Sequence, residues 1–195
     1  MRHRSPVDVG NANGYGAGVS RAVEPDAVIA AAGAVDSALR PFLDADWSVP
    51  AGNVEWSVEQ TVVHLIGAPA KYTLYLASRS PRFIALNMAA WPDATYEELV
   101  ASIVPVATGL AAVAGATPSE VRAFHADGPM APGEFLAMAC VELLVHCHDA
   151  VTGLGGRFSP PPDLVASVLQ SAFPKVVVNV SPWRALVEAT GRPPP

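Results

Sequence analysis

Beyond residue 25, apolar residues recur at intervals of three and four, and no run of alternating strands stands out. The spacing predicts four long helices. The first spans Pro25 to Asp44, with Pro25 suited to a first turn and Asp26 to the positive helix end. The second spans Val58 to Ser78, with Ser57 as N-cap and Gln60 as its capping-box partner. The third spans Tyr96 to Ala114, capped by Thr95, stopped by Gly115 and kinked at Pro105. The fourth spans Gly133 to Thr152 and ends at Gly153. A shorter helix is expected over Asp163 to Ala172, a last turn near Trp183 to Ala189, and a short extended piece over Val176 to Val180. Helices of about 20 residues with this patterning read as an all-α four-helix bundle with short additional C-terminal helices.

The segment before the first helix breaks the pattern. Met1 to Glu24 is punctuated by Gly10, Gly14, Gly16 and Gly18 and has few apolar groups to offset the entropy of ordering, so residues 1–24 read as a flexible arm. Its Gly14-Tyr15-Gly16-Ala17-Gly18 run is no dinucleotide fingerprint, because Val19 stands where the third glycine is needed. The remainder, 25–192, reads as one domain: 195 residues at 51% hydrophobic content suffice for a single well-filled core.

Charge then narrows the partners. A net charge of −6 and a pI near 5.2 leave no basic footprint for nucleic acid and no attraction to an anionic membrane surface. The longest apolar candidate for a membrane span, Val104 to Ala116, is interrupted by Pro105, Thr108 and two glycines, so no span is expected. Met1 to Ser20 lacks the apolar core of a signal peptide. Cys140 and Cys147 lie on one predicted helix with Cα atoms roughly 10 Å apart, too far for a disulfide, which fits a cytoplasmic protein with free thiols.

The fourth helix carries the chemistry. From Ala137 to Val151 it is apolar on nearly every side, which marks it as buried, yet it holds Glu142, His146, His148 and Asp149. Glu142 and His146, four apart, share one face; Asp149 follows His146 by three on that face, and His148 points elsewhere. A carboxylate buried without a partner costs several kcal/mol. With no Lys or Arg in the helix, three explanations stand: a cation from another helix, a protonated Glu142, or a metal ion. His64 is the only imidazole of the second helix, and Gly67 and Ala68 one turn on would leave open volume beside it.

His64, Glu142 and His146 make a two-imidazole, one-carboxylate set. Three protein ligands with an open position is a catalytic zinc pattern, and the same ligand types suit nickel, iron or manganese. Asp149 would orient His146 from behind. The Glu-x-x-His pairs of a di-iron bundle and the zincin His-Glu-x-x-His are both absent. The bland alternatives are a hydrogen-bonded polar pair for Glu142/His146 and a satisfied core histidine for His64. Cys140 and Cys147 read as small core residues, His125 and Asp127 as solvated loop residues, and His3 as part of the arm. Trp47, Trp56 and Trp183 read as packing groups, any of which could roof a pocket.

Three stretches resemble a known family in the right order. Trp56-Ser57-Val58 to Val63-His64-Leu65, Val141-Glu142-Leu143-Leu144-Val145-His146 with Asp149, and Pro182-Trp183 to Ala189-Thr190-Gly191-Arg192 resemble the DinB-like, mycothiol-dependent maleylpyruvate isomerase family over about residues 25–192; Asp46-Trp47 fits as well. Val54-Glu55 replaces the Pro-Gly common before the family's first tryptophan. The resemblance implies a four-helix bundle binding a divalent metal, usually zinc, at the positions of His64, Glu142 and His146, and chemistry on a low-molecular-weight thiol such as mycothiol. Maleylpyruvate isomerases carry a further C-terminal domain that contributes to the active site; the sequence ends at Pro195, and a bundle without that domain is the expectation.

The functional expectation is a metal-dependent protein that activates a thiol for S-transfer to, or isomerisation of, a small-molecule electrophile, with a homodimer as one option for its assembly. The alternatives are a non-catalytic metal-binding or small-molecule-binding bundle, and a hydrolase with Asp149 as the base.

Overall fold

The computed structural model describes residues 23–52, 54–86 and 88–193. These form six α-helices and one 3-10 turn, with no strand among the described residues: α1 (Pro25–Leu39), α2 (Val58–Ser78), α3 (Tyr96–Ala116), α4 (Pro132–Gly153), α5 (Pro162–Ala172) and α6 (Pro182–Ala189). The arm expected over 1–24, with His3 and its glycines, lies outside the described residues except for its end, where Val23 is buried in the core.

The long helices start where their caps place them. Ser57 and Gln60 exchange hydrogen bonds with each other's backbone N–H, as do Thr95 and Glu98. At α4, Glu134 accepts from the Ala131 N–H at 2.7 Å, half of the same device. Two helix ends differ from expectation. The first helix stops at Leu39 and tightens into a 3-10 turn over Arg40–Phe42, because Pro41 has no N–H to continue the ladder. The third helix absorbs Gly115 and ends at Ala116, with Thr117 extended before Pro118. The segment 176–180 is irregular, since an extended piece finds no partner strand there.

In the bundle, α1 and α2 each pack against both α3 and α4, so α1 and α2 face each other across the diagonal. The 18-residue connection from Arg40 to Ser57 spans it. Sixteen of the 22 residues of α4 are buried, which accounts for its apolar residues on every side. α5 packs on α4, and α6 packs on α5. By length and composition alone, α3 and α4 are apolar enough to span a bilayer. An uninterrupted apolar run is a stricter test than mean hydropathy, which tolerates scattered polar groups. Of the most apolar stretch of α4, 89% is buried inside the bundle, as befits a core helix; in α3 the share is 33%.

The segment before α2 crosses the end of α4 at very short range. A Cβ on Gly153 would run into the backbone of Pro50 and Ala51, and one on Gly52, whose φ is +49°, would come within 3.2 Å of the Asp149 carbonyl oxygen. Only glycine serves at both points. The Ala51 N–H then donates to the Trp56 carbonyl at 2.9 Å, turning the chain so that Trp56 and the start of α2 lie beside α4.

Candidate metal centre

His64 from α2 meets Glu142 and His146 from α4. The His64 Nε2 and the His146 Nε2 each lie 3.1 Å from the same oxygen, Glu142 Oε2. One ligand atom from each of the three residues falls within 4.8 Å of the others. The two rings meet edge to face with centroids 4.8 Å apart. Trp56 covers them both, at 4.8 Å from His64 and 6.0 Å from His146. His146 and Glu142 are buried, while the His64 side chain keeps 27% of its surface, so the group reaches solvent on the α2 side.

Glu142 is charged. Burial pushes its carboxyl up, but pairing with His146 and His64 outweighs burial and holds it well below the usual carboxylate range. His146 is charged too: burial opposes the charge, and the carboxylates of Asp149 and Glu142 overcome it and raise the imidazole to about 9. The Asp149 contact is electrostatic rather than an aligned hydrogen bond; Oδ2 lies 3.3 Å from His146 Nδ1, which has no hydrogen-bond partner.

A cation from outside α4 does enter the core, but it goes to Asp149. Arg192, just beyond α6, places Nη2 2.7 Å from Asp149 Oδ2 and Nε 3.3 Å from Oδ1. Desolvation of the Asp149 carboxyl is outweighed by His146 and Arg192, which lower it. Glu142 is thus left facing imidazoles alone on one oxygen. Its other oxygen, Oε1, lies 3.5 Å from the Tyr72 hydroxyl, which is itself 3.3 Å from His125 Nε2.

The donor set fits a divalent ion. Two neutral imidazoles and one carboxylate are ordinary zinc ligands, and ligand atoms of a tetrahedral zinc site stand about 3.3 Å apart. The two Nε2–Oε2 separations have that size. The cavity behind the group, lined by Val141, Val145, Thr190 and Arg192, is about 10 Å³, room for one water at most.

Several expectations are corrected. His125 is buried rather than solvated: it packs against Tyr72 and Phe135, and burial lowers its imidazole despite the opposing charges of Asp127 and Glu142. Open volume does lie at Gly67, where Met88 bounds it with a Cβ that would sit 3.1 Å from a Cβ on Gly67, but it does not reach His64. The larger cavity, about 440 Å³, lies between α2, α3 and the segment before α3, lined by Val63, Ile66, Trp91 and Leu99 and by none of the three clustered residues. His148 does point away, against Trp183, and Trp47 stacks on Tyr96 in the core. The two thiols are free and buried. Tyr72 and Arg192 were not foreseen as site residues; Arg192 lay in a recognised motif, but no periodicity ties it to Asp149.

The fold and this cluster define an all-helical bundle that joins two histidines and a glutamate from facing helices. The profile of the family described as Mycothiol maleylpyruvate isomerase N-terminal domain matches residues 28–151, and the chain belongs to that family. No curated protein and no solved structure matches it.

Proposed function

We propose that this protein holds one divalent metal ion, zinc before nickel, iron or manganese, through His64, Glu142 and His146, and activates a low-molecular-weight thiol of the mycothiol class toward a small electrophile. The observation that carries the reading is the convergence of both Nε2 atoms on a single buried carboxylate oxygen at 3.1 Å. Three protein ligands leave a position for an exogenous group. A bound cation lowers the pKa of a coordinating thiol, and the thiolate is the nucleophile.

The chain's own residues divide the work. Glu142 neutralises charge inside the bundle, Asp149, held by Arg192, sets a negative charge 3.3 Å from His146 Nδ1, and Trp56 lies over both imidazoles. His64 stands at the exposed edge, where a thiol and an electrophile would arrive. Addition of the sulfur to an activated carbon–carbon double bond, rotation about the resulting single bond and expulsion of the thiolate would isomerise the double bond with no net change in atoms. Retention of the sulfur with protonation of the adjacent carbon by solvent would give S-transfer.

Metal analysis of tag-free protein, paired with thiol-conjugation assays on an electrophile panel, tests the reading. About one equivalent of metal with turnover lost in His64→Ala supports it. Sub-stoichiometric metal even after supplementation sinks it. A second reading, a non-catalytic metal-binding bundle, is favoured by the one-water size of the cavity behind the cluster; stoichiometric metal without turnover would select it.

A further inference from the structure

Glu142 presents its two oxygens to different neighbours. Oε2 faces the two imidazoles, while Oε1 faces inward to Tyr72 on α2, and Tyr72 leads on to His125 in the segment between α3 and α4. Both Tyr72 and His125 are buried, and Phe135 packs tilted against Tyr72 and edge-on to His125.

The direction of every bond in this chain is determined from both ends. At the outer end, the backbone N–H of Asp127 donates to His125 Nδ1 at 3.2 Å, so that nitrogen is an acceptor and the ring proton sits on Nε2. The Asp127 carboxylate, 3.5 Å from the same nitrogen, is half-exposed and can turn to water. At the inner end, the Tyr72 hydroxyl donates its single proton to Glu142 Oε1 at 3.5 Å. That hydroxyl then needs a donor for its own lone pair, and His125 Nε2–H supplies it at 3.3 Å. The two constraints, starting from unrelated residues, require the same tautomer.

We infer that Tyr72 and His125 are positioning residues that occupy Glu142 Oε1 through a one-way relay, Asp127 N–H to His125 to Tyr72 to Glu142, and leave Oε2 alone to bind the metal. The inference rests on the metal reading above and deepens it: Glu142 is a one-oxygen ligand by construction. A carboxylate freed of Tyr72 can rotate and offer both oxygens, which raises the coordination number and removes the open position. Interactions of this kind behind metal ligands are worth about ten- to a hundredfold in metal affinity.

The test uses the full chain loaded with Zn(II) or Co(II), in wild type, Tyr72→Phe and His125→Phe, the last keeping an aromatic ring against Phe135. Zinc affinity is read by competition with a chromophoric chelator, and coordination by the Co(II) visible spectrum. The expected results are a tenfold or greater loss of affinity in Tyr72→Phe, a smaller loss in His125→Phe, and a Co(II) band that weakens as the coordination number rises. Wild-type affinity together with an unchanged Co(II) spectrum in Tyr72→Phe would overturn the inference while leaving the metal reading intact. Failure of wild type to bind either ion would instead overturn the metal reading. The relay itself is read without metal, by the ¹⁵N shifts of His125: an Nε2–H tautomer is expected, and an Nδ1–H tautomer would overturn it.

Discussion

Arg192 lies against Asp149 with two nitrogens on two carboxylate oxygens, at 2.7 and 3.3 Å, and this pair stands directly behind His146. Residues 43 positions apart thereby join the stretch after α6 to α4. The guanidinium side chain is only 8% exposed and the carboxylate 2%, so the pair sits in the part of the protein where losing one partner matters.

Arg192→Met should therefore destabilise the protein by about 3 kcal/mol, because it strands the Asp149 charge. Denaturant unfolding measures this. Zinc affinity should fall in parallel as His146 loses its fixed orientation. A midpoint equal to wild type would mean that the ion pair is solvated in solution.

Metal loading should be visible as stability. With free zinc at a hundred times its Kd, the expected gain is about 2.7 kcal/mol, read as a rise in Tm that a chelator reverses. His146→Ala and Glu142→Gln should abolish the rise. A gain that persists in both variants would place the ion elsewhere.

The pH dependence has a definite sign. His146 in the metal-free protein is raised from 6.5 to about 9, so over that range it carries a proton that a metal must displace. Zinc affinity should climb about tenfold per pH unit toward 9 and then level off. The same raised value means that the charge stabilises the metal-free fold fully below about 6.5, a contribution lost as pH rises through about 9. Proton release measured by calorimetry in buffers of different ionisation enthalpy checks the first statement; urea titrations at pH 6.5 and 9.5 check the second.

Neither cysteine should react in the folded state. Burial pushes the Cys140 thiol up to about 12, and Cys147 is raised by burial and by the charge of Asp149. Ellman's reagent at pH 8 should detect no thiol natively and two in denaturant. Rapid native labelling would show that α4 opens more readily than its packing implies.

Two glycine substitutions should act in opposite directions. Gly153→Ala drives a methyl group into the Pro50 and Ala51 backbone and should cost about 1–3 kcal/mol. Gly33→Ala, inside α1 with nothing within 4 Å, should stabilise by about 0.5–1 kcal/mol. Thermal unfolding of both variants compares them directly.

What the amino-acid sequence determined by itself was local and periodic. The capping boxes at Ser57 and Thr95, the burial of α4 and the shared face of Glu142 and His146 all follow from spacings of three and four residues, and the motif order pointed to the family and to His64. Tertiary structure alone decided what those residues touch. Arg192 and Asp149 are 43 positions apart, and Tyr72 and His125 are 53 apart; no helical period relates them. Loop residue His125 looked solvated because a loop's burial depends on which helices it crosses, and the volume at Gly67 opens away from His64 because Met88 bounds it from a different segment. A helix's own hydrogen bonds are made within one turn and can be read along the chain. The environment of a buried charge is assembled from whichever distant segments the bundle brings against it.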